Sequence, residues 1–188
     1  MDCSCHGLLK SIDFSFVIFF ESFTILIITY RFLANGGKID KRRIESFDEL
    51  HKDYDIIINC SGMEAKRLCY DRKLIPIRGQ VLKVNAPWVK MAYYADYDTY
   101  IVPGFSGVTL GGCRNYDSYD TNPSRYDHDS IKERCENLIP SLKSAKVTEV
   151  KVGLRPHRDT VRVEYEFKET TEGKVMKLIH NYGHGGKL

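Results

Sequence analysis

The chain has 188 residues, of which 43% are hydrophobic and 28% are charged. This composition is ordinary for a folded globular protein and excludes disorder as the overall state. The length suffices for one domain with a sizeable core or for a piece of something larger. The net charge of +3 comes from basic and acidic residues that are scattered along the chain without a basic stripe, which argues against nucleic acid as a partner.

Six cysteines are spread along the sequence, and only Cys3 and Cys5 lie close together. Their C-x-C lacks the second pair that a zinc site needs. His180 and His184 have the spacing of a metal pair, but the intervening Gly183 argues against a helix and a third ligand is not evident. The sequence therefore predicts no metal site, and the other cysteines, in apolar or mixed segments, indicate reduced thiols in an intracellular protein.

The stretch Phe14–Leu33 is strongly apolar but contains Glu21 and, near its end, Arg31. A clean membrane span would avoid the carboxylate, and although Lys10 precedes the run, a convincing cleavage site does not follow it. Three interpretations stay open: core helix or strand, a membrane or targeting segment, and sequence foreign to the native domain. The charges argue against membrane insertion.

Strand patterns outnumber helical ones downstream of the Asn-Gly-Gly at 35–37. The predicted strands lie at 39–47, 55–59, 77–84, 99–103, 107–111, 147–153, 160–166 and 175–180. The continuous apolar run at 55–59 is typical of a parallel strand that is buried on both faces.

Two helices are predicted between these strands. A short one lies at 63–69, and a longer one begins at Asp129 or Ser130 and ends at Pro140, with Ile131 and Cys135 on its apolar face. The fold class that follows is α/β, as a mixed α+β arrangement.

Four short stretches carry candidate chemistry: RGQ at 78–80, TYIVPG and TLGGCR at 99–104 and 109–114, GLRPHR at 153–158, and IHNYGHGG at 179–186. Pro156 holds Arg155 in extended backbone, and a guanidinium fork held in this way suits a bidentate bond to a carboxylate. A surface arginine in a surface loop is the alternative. The glycines of the last stretch permit positive φ, so N–H groups there could face a polar ring edge or simply form a turn.

In order and spacing these stretches, with KRRIESFDEL, DIIINCSG and RGQVLKVNAPW, resemble the D-amino acid oxidase and D-aspartate oxidase family over residues 37–186. The resemblance implies an FAD flavoprotein that uses oxygen to deaminate small D-amino acids, giving 2-oxo acid, ammonia and hydrogen peroxide. It also implies four segments. These are an atypical apolar start at 1–36, a remnant of the FAD-binding domain at 37–76, the substrate-binding domain at 77–174 and a returning FAD-binding segment at 175–188.

The resemblance assigns roles to single residues. Arg155 matches the arginine that binds the substrate α-carboxylate, and Tyr100 matches the tyrosine whose hydroxyl supports that carboxylate. No side chain is expected to act as a general acid or base, because orientation of the substrate Cα–H provides most of the catalysis. Flavin contacts are expected from Ile44, Ser61, His184, Gly185 and Gly186.

Arg114 bears on which amino acid is favoured. It lies where the aspartate branch of the family carries an arginine and the neutral branch an apolar residue, and TYIVPG and VGLRP also resemble the aspartate branch. An arginine there suits a second carboxylate, so D-aspartate or D-glutamate is the expected substrate. The second arginine of that branch is not matched, since Tyr93 lies near its place, and a neutral D-amino acid oxidase is the alternative.

The sequence departs from the family at both ends. No G-x-G-x-x-G turn for the pyrophosphate is present, and Lys187-Leu188 follow the glycine loop directly. The expectation is a fragment that binds FAD weakly and has little activity alone. The alternative is a truncated, non-enzymatic product with a carboxylate pocket. The family predicts a peroxisomal location, whereas the terminal GKL, a poor match to the S-K-L address, predicts the cytoplasm.

Overall fold

A computed structural model describes residues 10–12, 15–96, 98–105 and 107–186, with side chains described from residue 25 onward. The chain forms two compact units. The first unit contains residues up to Ile39, Gly79–Arg114 and Thr121–Gly153, and the second contains Asp40–Arg78, Asn115–Asp120 and the residues from Leu154 onward. The assignment of segments to FAD-binding and substrate-binding domains stays a prediction.

The described ranges contain strands and helices in a mixed order. The strands are β1 (Lys10–Ile12), β2 (Ile56–Asn59), β3 (Ile75–Asn85), β4 (Ala92–Ala95), β5 (Thr99–Gly104), β6 (Gly107–Gly111), β7 (Asn115–Tyr116), β8 (Lys146–Glu169) and β9 (Val175–His184). The α-helices are α1 (Ser15–Ala34), α2 (Ala65–Leu68) and α3 (Arg125–Leu138), and 3-10 turns lie at Phe47–Glu49, Gly62–Glu64 and Pro140–Ser144. The predicted mixed α/β class is confirmed.

The first unit is a sheet with a helix packed on it. Its strand order is β1-β4-β5-β6-β3-β8, and β4, β5 and β6 are antiparallel neighbours. Alternation along the strands buries Leu82, Ile101 and Leu110, and α3 adds Ile131 and Cys135 to the same core. This core supports the start of β5 and the end of β6, where Tyr100 and Arg114 lie.

Helix α3 begins before the predicted cap at Asp129 or Ser130. Its N-cap is Ser124, whose hydroxyl accepts from the backbone N–H of Asp127 at 3.2 Å. The side chain of Gln80 accepts from Ser124 N at 2.7 Å and donates to Ser124 O at 2.8 Å. The predicted cap was wrong: the contact between Ser124 and Asp127 is local, and Gln80, 44 residues away, additionally holds the backbone of Ser124.

In the second unit β9 lies between β8 and β2, antiparallel to β8 and parallel to β2. Ile57 of β2 packs with Phe47 and Leu178. The expectation that β2 is buried on both faces was wrong, because Ile56 and Ile58 are 53% and 62% exposed in this structure. Three consecutive isoleucines carry no alternation that could reveal which face is covered.

Two predicted strands, 147–153 and 160–166, are parts of the single strand β8. Arg155 therefore lies within a strand, in the extended backbone predicted for it. The pairing register with β9 shifts between His157 and Arg162. Such an irregularity is expected beside Pro156, which has no N–H to donate to the ladder.

The strand predicted at 39–47 is absent from the structure. The stretch is irregular and leads into the 3-10 turn Phe47–Glu49, which begins with a capping box formed by Ser46 and Glu49. Arg43 pairs with Glu45 at 2.7 Å instead of facing a neighbouring strand. Apolar spacing favoured a strand here, but local polar contacts decided the conformation.

The apolar stretch Phe14–Leu33 falls almost entirely within α1, so its strand interpretation was wrong. Its side chains from Ile25 onward are mostly exposed. Within the described ranges, no helix combines the length and apolar character needed to cross a membrane. Cys3 and Cys5 lie outside the described residues.

Candidate functional site

Tyr100 lies on β5 with its ring against the glycine pair of TLGG at the end of β6. In the antiparallel register Tyr100 faces Gly111. A Cβ built on Gly111 would overlap the ring and hydroxyl of Tyr100, and one built on Gly112 would lie 2.9 Å from the hydroxyl oxygen. The glycines therefore leave the space that this half-buried phenol occupies, and the ring of Tyr94 neighbours it at 6.0 Å.

Arg114 follows β6 and forms an ion pair with Asp98, its Nε lying 3.0 Å from Asp98 Oδ1. The backbone N–H of Gly112 also donates to the carbonyl of Asp98. Arg134 of α3 ties the two strand ends together, because its Nη2 donates to Gly112 O at 2.6 Å and its Nε donates to Thr99 Oγ1 at 3.1 Å. Sequence reasoning missed Asp98 and Arg134, whose roles depend on contacts between neighbouring strands and a helix.

In the second unit three motifs meet around Pro156. The N–H of Gly185 donates to Pro156 O at 2.6 Å, and a Cβ on Gly62 would lie 3.8 Å from Pro156 Cγ. A Cβ on Gly186 would lie 3.3 Å from Arg155 Cδ. The NCSG turn, the GLRP stretch and the GHGG loop are thus neighbours, although they lie far apart in the sequence.

The GHGG loop ends β9 in a turn that favours glycine. Gly183, Gly185 and Gly186 have φ angles of +93°, +63° and +72°, which a residue with a side chain rarely adopts. Gly185 is buried beside His157, whose Nδ1 would lie 3.0 Å from a Cβ at that position. The exposed His184 pairs with His157 across the strands, and Gly186 presents backbone without a side chain to solvent.

Ser61 is held by Asn59 at the start of the NCSG turn. Asn59 Oδ1 accepts from the hydroxyl of Ser61 at 2.6 Å and from its backbone N–H at 3.2 Å. Asn59 Nδ2 lies 3.1 Å from His180 Nδ1 and donates to Cys69 Sγ at 3.2 Å. Both ends of this buried amide are therefore engaged, and the position of Ser61 depends on it.

Polar contacts continue from His180 across the unit. His180 Nε2 lies 3.0 Å from Glu166 Oε2, which also accepts from Arg162 Nη2 at 3.0 Å. Arg162 Nη1 donates to the hydroxyl of Tyr182 at 2.9 Å, and that hydroxyl donates to Asp71 Oδ2 at 2.8 Å. The turn at Ser61 is thereby linked to a network of alternating charges.

Asp71 is the buried anion of this network, and Arg158 Nε lies 2.9 Å from its Oδ2. Burial raises the pKa of the Asp71 carboxyl, but hydrogen bonds from Tyr182 and from the N–H of Lys73, with the charge of Arg158, outweigh burial and hold the pKa below its usual value. Burial raises the pKa of the Tyr182 hydroxyl. At neutral pH Tyr182 is therefore a proton donor to an ionised Asp71.

Ile44 is joined to the same region by Arg67. The carbonyl of Ile44 accepts from Arg67 Nη2 at 2.7 Å, and Arg67 Nη1 pairs with Glu45 at 2.7 Å. Arg67 lies on α2, which follows directly after the 3-10 turn Gly62–Glu64, and Ser61 immediately precedes that turn. Sequence reasoning missed Arg67, because an arginine in a helix of four residues carries no signal of a long-range contact.

The predicted site residues divide between the two units. Tyr100 and Arg114 belong to the first unit, and Arg155 belongs to the second together with the predicted flavin contacts. The predicted flavin contacts are Ile44, Ser61, His184, Gly185 and Gly186. Among the side chains that the structure describes, no group of three or more metal-ligating residues is placed to hold a metal ion.

A family model described as DAO, FAD dependent oxidoreductase, matches residues 28–187. The chain belongs to this family. The match spans both units, from the last turns of α1 to the GHGG loop. The resemblance predicted from the motifs is confirmed.

Curated relatives point in the same direction. A D-aspartate oxidase from Homo sapiens is 43% identical over 157 residues, which cover 82% of this chain and 46% of the relative. A D-amino acid oxidase from Dugesia ryukyuensis is 37% identical over 172 residues, which cover 89% of this chain and 49% of the relative. The chain spans about half the length of the curated relatives it matches.

Among solved structures, a glycine oxidase from Geobacillus kaustophilus resembles this chain with a TM-score of 0.57 and 22% identity. The likeness covers 69% of this chain and 36% of that protein. At this identity it shows the fold alone, which agrees with the mixed α/β class.

Proposed function

We propose that the chain takes part in the FAD-dependent oxidation of D-amino acids by oxygen, with a preference for acidic ones. The products are the 2-oxo acid, ammonia and hydrogen peroxide. The observation that carries the proposal is the meeting of three motifs in the second unit, where Gly186 lies beside Arg155 and the Ser61 turn lies beside Pro156. Membership of an FAD-dependent family and the 43% identity to a D-aspartate oxidase support it.

The residues of the second unit fit FAD. The turn at Gly185 and Gly186 carries no side chains, so its backbone can approach the edge of a planar ring closely. Bound FAD would supply the acceptor for the hydride that leaves the substrate Cα. The residues proposed to hold it are Ile44, Ser61, His184, Gly185 and Gly186.

We propose that two arginines hold the substrate by charge and that a tyrosine holds it by a hydrogen bond. Arg155 binds the α-carboxylate, since its guanidinium is always charged and can donate twice to one carboxylate. Tyr100 donates its hydroxyl to the same carboxylate, and the glycine pair at 111–112 fixes the ring that carries it. Arg114 binds the distal carboxylate of D-aspartate or D-glutamate.

A neutral D-amino acid oxidase is the second candidate. The ion pair between Arg114 and Asp98 favours it, because an arginine that already faces a carboxylate attracts a second one less strongly. Tyr93, which lies near the place of a second substrate arginine in the aspartate branch, favours the same alternative.

The two candidates are separated by a chimera. The 157 matching residues of the Homo sapiens D-aspartate oxidase are replaced by those of this chain, and peroxide release is measured with D-aspartate, D-alanine and L-aspartate. The proposal predicts the highest kcat/KM for D-aspartate and none above background for L-aspartate. A preference for D-alanine would establish the neutral candidate, and a folded, FAD-loaded chimera without peroxide release would contradict both.

A further inference from the structure

We propose that Asp98 is an internal carboxylate that opposes the binding of a second carboxylate at Arg114, and so limits how strongly acidic D-amino acids are favoured over neutral ones. The inference rests on the proposed function, and specifically on the role proposed for Arg114. It adds a residue that determines specificity without itself binding the substrate.

The geometry places the two side chains at neighbouring strand ends. Asp98 precedes β5 and Arg114 follows β6, and Asp98 Oδ1 lies 3.0 Å from Arg114 Nε. The side chains are 41% and 42% exposed, respectively, so the pair is accessible to a small solute. A D-amino acid whose distal carboxylate reaches Arg114 therefore meets Asp98 as well.

The backbone of Asp98 is held in place, so it does not move when the Asp98 side chain turns away from Arg114. Its carbonyl accepts from the N–H of Gly112. The next residue, Thr99, is 4% exposed, and its hydroxyl accepts from Arg134 Nε at 3.1 Å. Asp98 therefore stays beside Arg114 even when the Asp98 carboxylate is displaced.

The carboxylate of Asp98 and the distal carboxylate of D-aspartate repel each other at the guanidinium of Arg114. A neutral substrate has no distal carboxylate and brings only its α-carboxylate. The charge of Asp98 therefore weakens the binding of D-aspartate and leaves the binding of D-alanine largely unaffected. Because both side chains are partly exposed, water screens the repulsion, and we expect an effect of about two- to fivefold in the ratio of the two dissociation constants.

The test measures that ratio on the purified chain in the presence of FAD. Binding of D-aspartate and of D-alanine is followed by NMR, through the backbone amides and the arginine Nε–Hε signals. Asp98→Asn removes the charge and keeps a similar shape, and Asp98→Glu keeps the charge. Asp96→Asn is the matched control, because Asp96 is exposed in the same turn and its φ of +56° is one that asparagine also adopts.

The proposal predicts that Asp98→Asn strengthens D-aspartate binding relative to D-alanine about two- to fivefold, with a smaller change in 0.5 M NaCl. Asp98→Glu and Asp96→Asn should keep the ratio of the unaltered chain. D-aspartate binding by Asp98→Asn that is unchanged or weaker relative to D-alanine would overturn the inference and leave the proposed function standing. If neither amino acid binds the unaltered chain, the inference is overturned, and peroxide release by the chimera decides separately whether the proposed function stands.

Discussion

The ring of Tyr100 lies against the backbone of Gly111 on the neighbouring strand, in space that a Cβ at position 111 would occupy. Replacing Gly111 by alanine should therefore displace the ring and lower the free energy of unfolding by about 1–3 kcal/mol, the usual cost of overpacking. Urea denaturation measures this cost. Gly153→Ala is the control, because nothing lies within 4 Å of its Cβ position, and a similar loss in both variants would contradict the role of Tyr100.

Asn59→Ala should destabilise the second unit. The substitution removes the acceptor of the Ser61 backbone N–H and the amide beside His180 Nδ1, and we expect a loss of about 1–3 kcal/mol in the free energy of unfolding. Asn181→Ala, at an exposed position on the adjacent strand β9, should change stability little. Equal effects of the two substitutions would show that the amide of Asn59 does not hold the turn.

Because the thiol of Cys135 is buried, the stability of the folded chain should fall at alkaline pH. Burial raises the pKa of this thiol to about 11 from its usual value of 9.0, so the folded state favours the protonated thiol. The resulting stability is fully present below pH 9.0 and is lost as the pH rises towards about 11. Thermal denaturation between these pH values should show a steeper fall for the native chain than for Cys135→Ala, and parallel curves would contradict the prediction.

Removing the charge of Asp71 should be costly, because it leaves the half-buried Arg158 without its carboxylate. We expect Asp71→Asn to lower the free energy of unfolding at pH 7 by about 3 kcal/mol or more. Since the pKa of Asp71 is lowered in the folded state, its contribution is present above pH of about 4 and is lost as the pH falls further.

The difference between Asp71→Asn and the native chain should therefore shrink in acid, as measured by urea denaturation from pH 7 to pH 3. Asp55→Asn, an exposed aspartate of the same unit, is the control. A difference that stays constant down to the lowest pH would show that Asp71 acts through packing alone.

The extent to which sequence predicted this fold depended on how local each signal was. Strands β3, β5 and β6 follow from alternation, and the family follows from motifs such as VGLRP whose residues are contiguous. The strand at 39–47 was predicted wrongly, although Ser46 and Glu49 stand at capping-box spacing. Apolar spacing was given more weight there than a local polar motif.

The parts of the site that sequence did not predict depend on contacts between distant residues. Arg134 acts on Thr99 across 35 positions, and Arg67 acts on Ile44 across 23 positions. Neither arginine lies in a recognisable motif. Their partners become apparent only when the fold places a helix beside a strand end or a turn.

The proposed substrate site depends most directly on Arg155. In the chimera with the Homo sapiens D-aspartate oxidase, Arg155→Leu should reduce kcat/KM for D-aspartate and for D-alanine alike by about 100-fold or more, the cost of removing one partner of a charged hydrogen-bonded pair. Arg72→Leu, at an exposed position of the same unit, should leave both values unchanged. An Arg155→Leu chimera that binds FAD and oxidises D-aspartate at the unaltered rate would contradict the proposed substrate site.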